Sequence, residues 1–121
     1  MDTKTTLSFC NLLVKDNILI AEINEGVILN KELCDKIIYF STVAFNTEPF
    51  VYITNRIHSY SVDPIIYEDV SKIENLVGFA VVSKTLSARN AEIESLFLNK
   101  PLEIFRDLNK AKKWAKKILK Q

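Results

Sequence analysis

"LVGFAVV", residues 76–82, is a run of seven residues without one polar side chain. A strand with one wet face alternates apolar and polar residues. An unbroken apolar run instead marks a strand buried on both faces, as in a parallel sheet covered by helices. The residues on either side therefore have to supply neighbouring strands and covering helices.

Upstream, residues 50–54 ("FVYIT") read as a strand. Between it and 76–82, the spacing predicts a helix over 62–74, with Ser61 or Asp63 as cap and Pro64 in the first turn. Ile66, Val70 and Ile73 form its inner stripe. Downstream, a helix is expected over 85–98 with Ile93, Leu96 and Phe97 inward, followed after Pro101 by a strand at 102–106. Asp107 then caps a last helix, whose apolar face is Leu108, Ala111, Trp114, Ala115, Ile118 and Leu119.

Toward the N-terminus, two apolar strands at 7–14 and 18–24 flank the turn "KDN" and read as a hairpin. Asn30 suits a helix cap, and Glu32 lies in the first turn, where the dipole favours an acid. Leu33, Cys34, Ile37, Ile38, Ala44 and Phe45 follow at helical spacing, and "NTEP" at 46–49 ends the helix. The order is β-β-α-β-α-β-α-β-α. It predicts an α/β fold with a mixed, mostly parallel sheet, helices packed outside and an antiparallel edge at the opening hairpin.

The 121 residues suit one domain spanning 1–121, with 1–6 as a flexible start. At 48% hydrophobic and 26% charged, the chain can bury a core without disulfide or metal. "MDTKTT" lacks the plan of a signal peptide, and no apolar run approaches the roughly 20 residues a membrane span needs. The expected location is the cytoplasm. Cys10 and Cys34 read as buried, reduced thiols. Residues 100–121 carry eight Lys/Arg against two Asp/Glu, a net of +6, and residues 1–99 carry eight against thirteen, a net of −5.

Two distant glycines, Gly26 and Gly78, make no phosphate-cradling loop. One histidine builds no zinc site with two distant cysteines, and no G-x-S-x-G elbow is present. The expectation is a non-enzyme with no cofactor and no metal. The polar loop in "VYITNRIHSYSVDP", 51–64, leaves the third strand at its carboxyl end, where open α/β sheets bind ligands. Asn55, Arg56, His58, Ser59 and Tyr60, with Lys84 and Arg106 from the next two strand ends, are the candidate binding residues. Three of them are cationic, so a phosphate, a carboxylate or a lipid head group would suit the rim. Lys110, Lys112, Lys113, Lys116, Lys117 and Lys120 decorate the last helix. With no arginine there and Trp114 on the apolar face, specific nucleic-acid recognition is not expected.

The element order, "NLVGFAVVSK" at 75–84 and "LEIFRDLNKAKKWAKKIL" at 102–119 resemble the STAS domain, and most closely the SpoIIAA-like, STAS/SEC14-type bacterial proteins. "RIHSYSVDPIIYED" is similar to a segment of small Bacteroidetes-type proteins. In the anti-sigma antagonists of that group, a serine opening the helix after the third strand is phosphorylated. Ser59 and Ser61 lie in the corresponding loop, without the glycine or preceding aspartate of that motif. The resemblance implies a non-catalytic regulatory or protein-interaction domain with a protein partner. The alternative is a small-molecule or lipid carrier, its pocket lined by Ile57, Tyr60, Ile65, Ile66 and Tyr67. Two surfaces suit a homodimer: Tyr39 and Phe40 of the first helix, or the edge strand of the hairpin.

Overall fold

The computed structural model of the chain describes residues 2–85 and 98–121. The strands are β1 (Thr3–Thr6), β2 (Cys10–Lys15), β3 (Ile18–Ile23), β4 (Ile28–Leu29), β5 (Phe50–Asn55), β6 (Ser61–Val62), β7 (Leu76–Val82) and β8 (Leu102–Phe105). The helices are α1 (Lys31–Phe45), α2 (Ile66–Ser71) and α3 (Leu108–Leu119). Six strands form one sheet in the order β1-β2-β3-β5-β7-β8. The first three are antiparallel neighbours, and β3, β5, β7 and β8 run parallel. This is the mixed α/β arrangement expected from the sequence. The run 76–82 is β7, with a parallel strand on each side.

Alternation along the strands sends side chains to two separate cores. On one face, Leu19, Phe50, Phe79 and Val81 pack with Cys34, Ile37 and Phe45 of α1 and with Ile66, Tyr67 and Val70 of α2. The Phe45 and Phe50 rings stack at 4.6 Å, and Phe79 contacts Tyr52 at 4.9 Å and Tyr67 at 6.3 Å. On the other face, Ile18, Ile20, Val51, Ile53, Ala80 and Val82 meet Ala111 and Ala115 of α3. Gly78 belongs to this second face. A Cβ there would stand 3.1 Å from Trp114 Cη2 and 3.2 Å from Ile118 Cδ1, so the missing side chain is what lets Trp114 lie on the strand.

Local chemistry sets the element ends. Asn30 Oδ1 accepts from Leu33 N at 3.0 Å and starts α1, and Asp107 Oδ1 accepts from Asn109 N at 2.7 Å and starts α3. Asn46, at φ 56°, ends α1 by donating its N–H to Thr42 O. Asp16, at φ 54°, turns β2 into β3. Lys31 Nζ meets Asp69 Oδ2 at 2.9 Å, joining α1 to α2.

The structure departs from expectation in four places. Within the expected flexible start, 1–6, Thr3–Thr6 pairs antiparallel with β2 and forms the sheet edge. The first strand begins at Cys10, not at residue 7. The helix expected over 62–74 shrinks to Ile66–Ser71. Ser61 and Val62 instead pair with Ile28 and Leu29, so Ser61 caps nothing, and Asp63 Oδ1 accepts from Ile65 N in the turn before α2. Pro64 explains the delay, since a proline drives the residue before it out of the helical region. Ala44, expected to face inward, is exposed. The helix expected over 85–98, with Ile93, Leu96 and Phe97, lies outside the described residues apart from its two ends. Among the described residues, no helix is long and apolar enough to cross a membrane.

Candidate functional site

Parallel strands end on the same side of a sheet, so the last residue of β5 and the residues following β5, β7 and β8 gather there. Asn55, Arg56 and Ile57, then Ser83, Lys84 and Thr85, then Arg106, Asp107 and Leu108 line an open groove of about 660 Å³. The ladder carries on past the strands to hold them: Arg56 N donates to Val82 O at 2.9 Å, and Ser83 N donates to Phe105 O at 2.8 Å. Four of the candidate residues, Asn55, Arg56, Lys84 and Arg106, therefore share one groove. Its charge is mostly positive. The Asp107 carboxylate is engaged in capping α3, and Asn55 Nδ2 donates to Glu22 Oε2 at 3.2 Å.

Tyr60 turns away from this groove. Its hydroxyl lies 2.8 Å from Thr54 Oγ1, and its ring carries the Arg56 guanidinium at 4.3 Å. Arg56 Nη2 also donates to Tyr60 O at 3.0 Å. Tyr60 thereby lines a cavity of about 50 Å³ between the sheet, α1 and α2, with Tyr52, Thr54, Ile66 and Tyr67 among its walls. That volume holds a few waters. Arg56 belongs to both the cavity wall and the groove wall. Ile57 and Ile65, expected beside Tyr60 in one pocket, point to solvent at 59% and 58% exposure.

His58, Ser59 and Ser61 line neither space; all three are exposed. The loop that carries them is nonetheless pinned. Gly26 N donates to Ser59 O at 2.8 Å, Ser59 N donates to Glu25 Oε1 at 3.2 Å, and Ser61 N donates to Val27 O at 2.9 Å. Gly26 adopts φ 78°, a left-handed turn that favours glycine, where it reaches Ser59. His58 and Ser59 share no side-chain hydrogen bond. A phosphate on Ser59 would stand beside the Glu25 carboxylate, an unfavourable place for a second anion.

Burial shapes the titrating groups of the core under α1 and α2. It pushes the Cys10 thiol up to about 11. It also lifts Cys34 to about 12, with the Asp35 and Asp69 carboxylates adding to the rise. The Tyr52 phenol is raised well above its ordinary value, first by burial. Both cysteines are thus protonated, inert thiols at neutral pH. Among the described residues, no three His, Cys, Asp or Glu side chains group as a metal would need.

One feature escaped the sequence reading. The short β4–β6 ribbon, with the chain entering and leaving β6, carries Ile28, Ile57 and Ile65, all more than half exposed. Two-residue strands leave no periodicity to read. The only trace was isoleucine in otherwise polar loops.

No protein-family model matches the chain, and no curated protein matches it significantly. Among solved structures, it is similar to an uncharacterized protein of the DUF3478 family from Shewanella loihica PV-4, a crystal structure with a SpoIIAA-like fold. The alignment covers 95% of this chain and 92% of that one, with a TM-score of 0.55 and 12% identity. The likeness is one of fold: the chain has a SpoIIAA-like α/β architecture.

Proposed function

We propose that this SpoIIAA-like domain is a non-catalytic protein-interaction module of regulatory type, working in the cytoplasm, and that it docks its partner on the β4–β6 ribbon and the adjoining rim beyond β5, β7 and β8. One observation carries the reading. Among the described residues, three of the five exposed large hydrophobics, Ile28, Ile57 and Ile65, sit on the β4–β6 ribbon and its flanks. Apolar side chains held out on a hydrogen-bonded ribbon form a preorganised contact, which lowers the ordering cost of binding. The cationic groove beside Ile57 favours a partner with acidic side chains.

The test is affinity capture from the protein's own cells with tagged wild-type chain and the double variant Ile57→Ser, Ile65→Ser. Both side chains are exposed, so the fold is expected to survive, as circular dichroism would check. Loss of one specific partner from the variant supports the reading. An unchanged set of captured proteins rejects it.

A second reading rests on the groove itself. Lys84 and Arg106 flank about 660 Å³ of open space at the strand ends, which suits a small anionic ligand. Titration with inorganic phosphate and short dicarboxylates, followed by backbone amide shifts at residues 83–85 and 106–108, tests it. Shifts absent from those residues dispose of it.

A further inference from the structure

The outer face of α3 is built differently from the rest of the surface. Its polar arc holds Lys110, Lys112, Lys113, Lys116, Lys117 and Lys120, and the helix contains no acidic residue. At 100° per residue these six fall on one side and Leu108, Ala111, Trp114, Ala115, Ile118 and Leu119 on the other. The apolar side is consumed by the sheet, with Ala111 and Ala115 fully buried. The lysines cover about 15 Å of helix at 1.5 Å per residue.

Solubility and the helix dipole do not account for this pattern. Lys116 and Lys117 in the last turn and Lys120 at the C-cap lie where the dipole rewards a cation, but Lys110, Lys112 and Lys113 do not. The face also sets like charges side by side: Lys112 with Lys116, Lys113 with Lys117 and Lys116 with Lys120 stand four residues apart, a spacing that destabilises a helix. Elsewhere the surface mixes its signs. Lys31 pairs with Asp35 and Asp69, and Lys72 with Glu68. No lysine of α3 joins an ion pair among the described residues. A face of one sign, set on a chain whose first 99 residues carry a net of −5, is a surface shaped to meet a large anionic partner in one orientation.

We infer that the α3 face docks the domain reversibly on an anionic phospholipid bilayer. Lysines are mobile point charges that suit a fluid, flat field of phosphates and carboxylates. The face has no arginine fork and no outward aromatic ring, the groups that grip and read nucleic acid. Its apolar side is occupied by the sheet, so the helix lies on the surface without inserting. Attachment is purely electrostatic and strongly salt-dependent, because exposed charges are screened over about 10 Å at 0.1 M salt.

The experiment is vesicle co-sedimentation of the full chain with phosphatidylcholine alone and with phosphatidylcholine and phosphatidylserine at three to one. Binding is expected only to the anionic vesicles, and is lost at high salt. Each surface lysine contributes about a five-fold gain in partitioning, so Lys113→Gln, Lys116→Gln, Lys117→Gln together should weaken binding about 100-fold. These three side chains are exposed and the fold should persist; a variant with an altered melting curve would be replaced by Lys110→Gln, Lys113→Gln, Lys117→Gln. Equal binding to neutral vesicles, equal binding by folded variant and wild type, or tighter binding to a short DNA duplex at the same salt would each overturn the inference. The rim is untouched in these variants, so partner capture through Ile57 and Ile65 succeeds or fails independently.

Discussion

The two faces of the sheet are packed differently. The α1–α2 face uses large side chains: Phe45, Phe50, Tyr67 and Phe79 are all buried there, Phe45 against Phe50 and Tyr67 against Phe79. The α3 face sets branched aliphatics, Ile18, Ile20, Val51, Ile53 and Val82, beside small residues at the helix contact. Ala80, Ala111, Ala115 and Gly78 let one helix settle on the strands, with Trp114 and Ile118 packed over Gly78. The surfaces above them differ too: among the described residues, charges over α1 and α2 are paired and no lysine of α3 joins an ion pair. The difference teaches that one sheet can pack helices of unlike residue size on its two sides and carry surfaces of unlike charge above them.

The comparison predicts unequal costs. Phe79→Ala should destabilise most, by about 3–5 kcal/mol, because its ring is buried between Tyr52 and Tyr67. Urea denaturation measures it. A loss no larger than that for the half-buried Trp114→Ala would mean the faces share the load equally. Gly78→Val should cost about 1–3 kcal/mol by overpacking against Trp114, and should quench or shift that single tryptophan's fluorescence. A neutral result would show that α3 rides loosely on the sheet.

The thiols give a kinetic check of the thicker face. Cys10 and Cys34 are both buried and held protonated, so a thiol reagent at pH 8 should label them only at the rate of unfolding. Rapid labelling of Cys34 in native protein would reveal opening between α1 and the sheet. The smallest effect belongs to the exposed Lys31–Asp69 pair. The Lys31 hydrogen bond holds the Asp69 carboxyl below its ordinary value, and the Asp69 hydrogen bond raises Lys31. The pair's contribution is therefore complete between the ordinary carboxylate and lysine ranges. It fades in acid as pH falls through the lowered Asp69 value, and in base as pH rises through the raised Lys31 value. Lys31→Gln should lower the urea midpoint slightly at pH 7 and not at all near pH 2. A difference that persists in acid would assign the effect to helix propensity instead.

Much of this could be read directly in the chain. The run 76–82 became the doubly buried β7 with the same ends, and Asn30 and Asp107 became the caps that their side chains suit. Such signals are local: an oxygen three residues or fewer from an orphan N–H, or a run too apolar to face water. The last helix was legible for the same reason, since six lysines and six apolar residues sort onto two faces by angle alone.

Tertiary structure decided the rest. Ser61 and Val62 look like the start of a helix until Ile28 and Leu29, more than thirty residues away, offer their backbone groups. Thr3–Thr6 looks like a loose end until β2 supplies an edge to pair with. The same holds for the rim. The sequence by itself determined that Asn55, Arg56, Lys84 and Arg106 follow strands, but only the parallel order of β5, β7 and β8 brings them into one groove. It also turns Tyr60 under Arg56 and leaves His58, Ser59 and Ser61 outside. Hydrogen bonds between residues far apart in the chain carry no local pattern, and they choose which of several polar neighbours share a site.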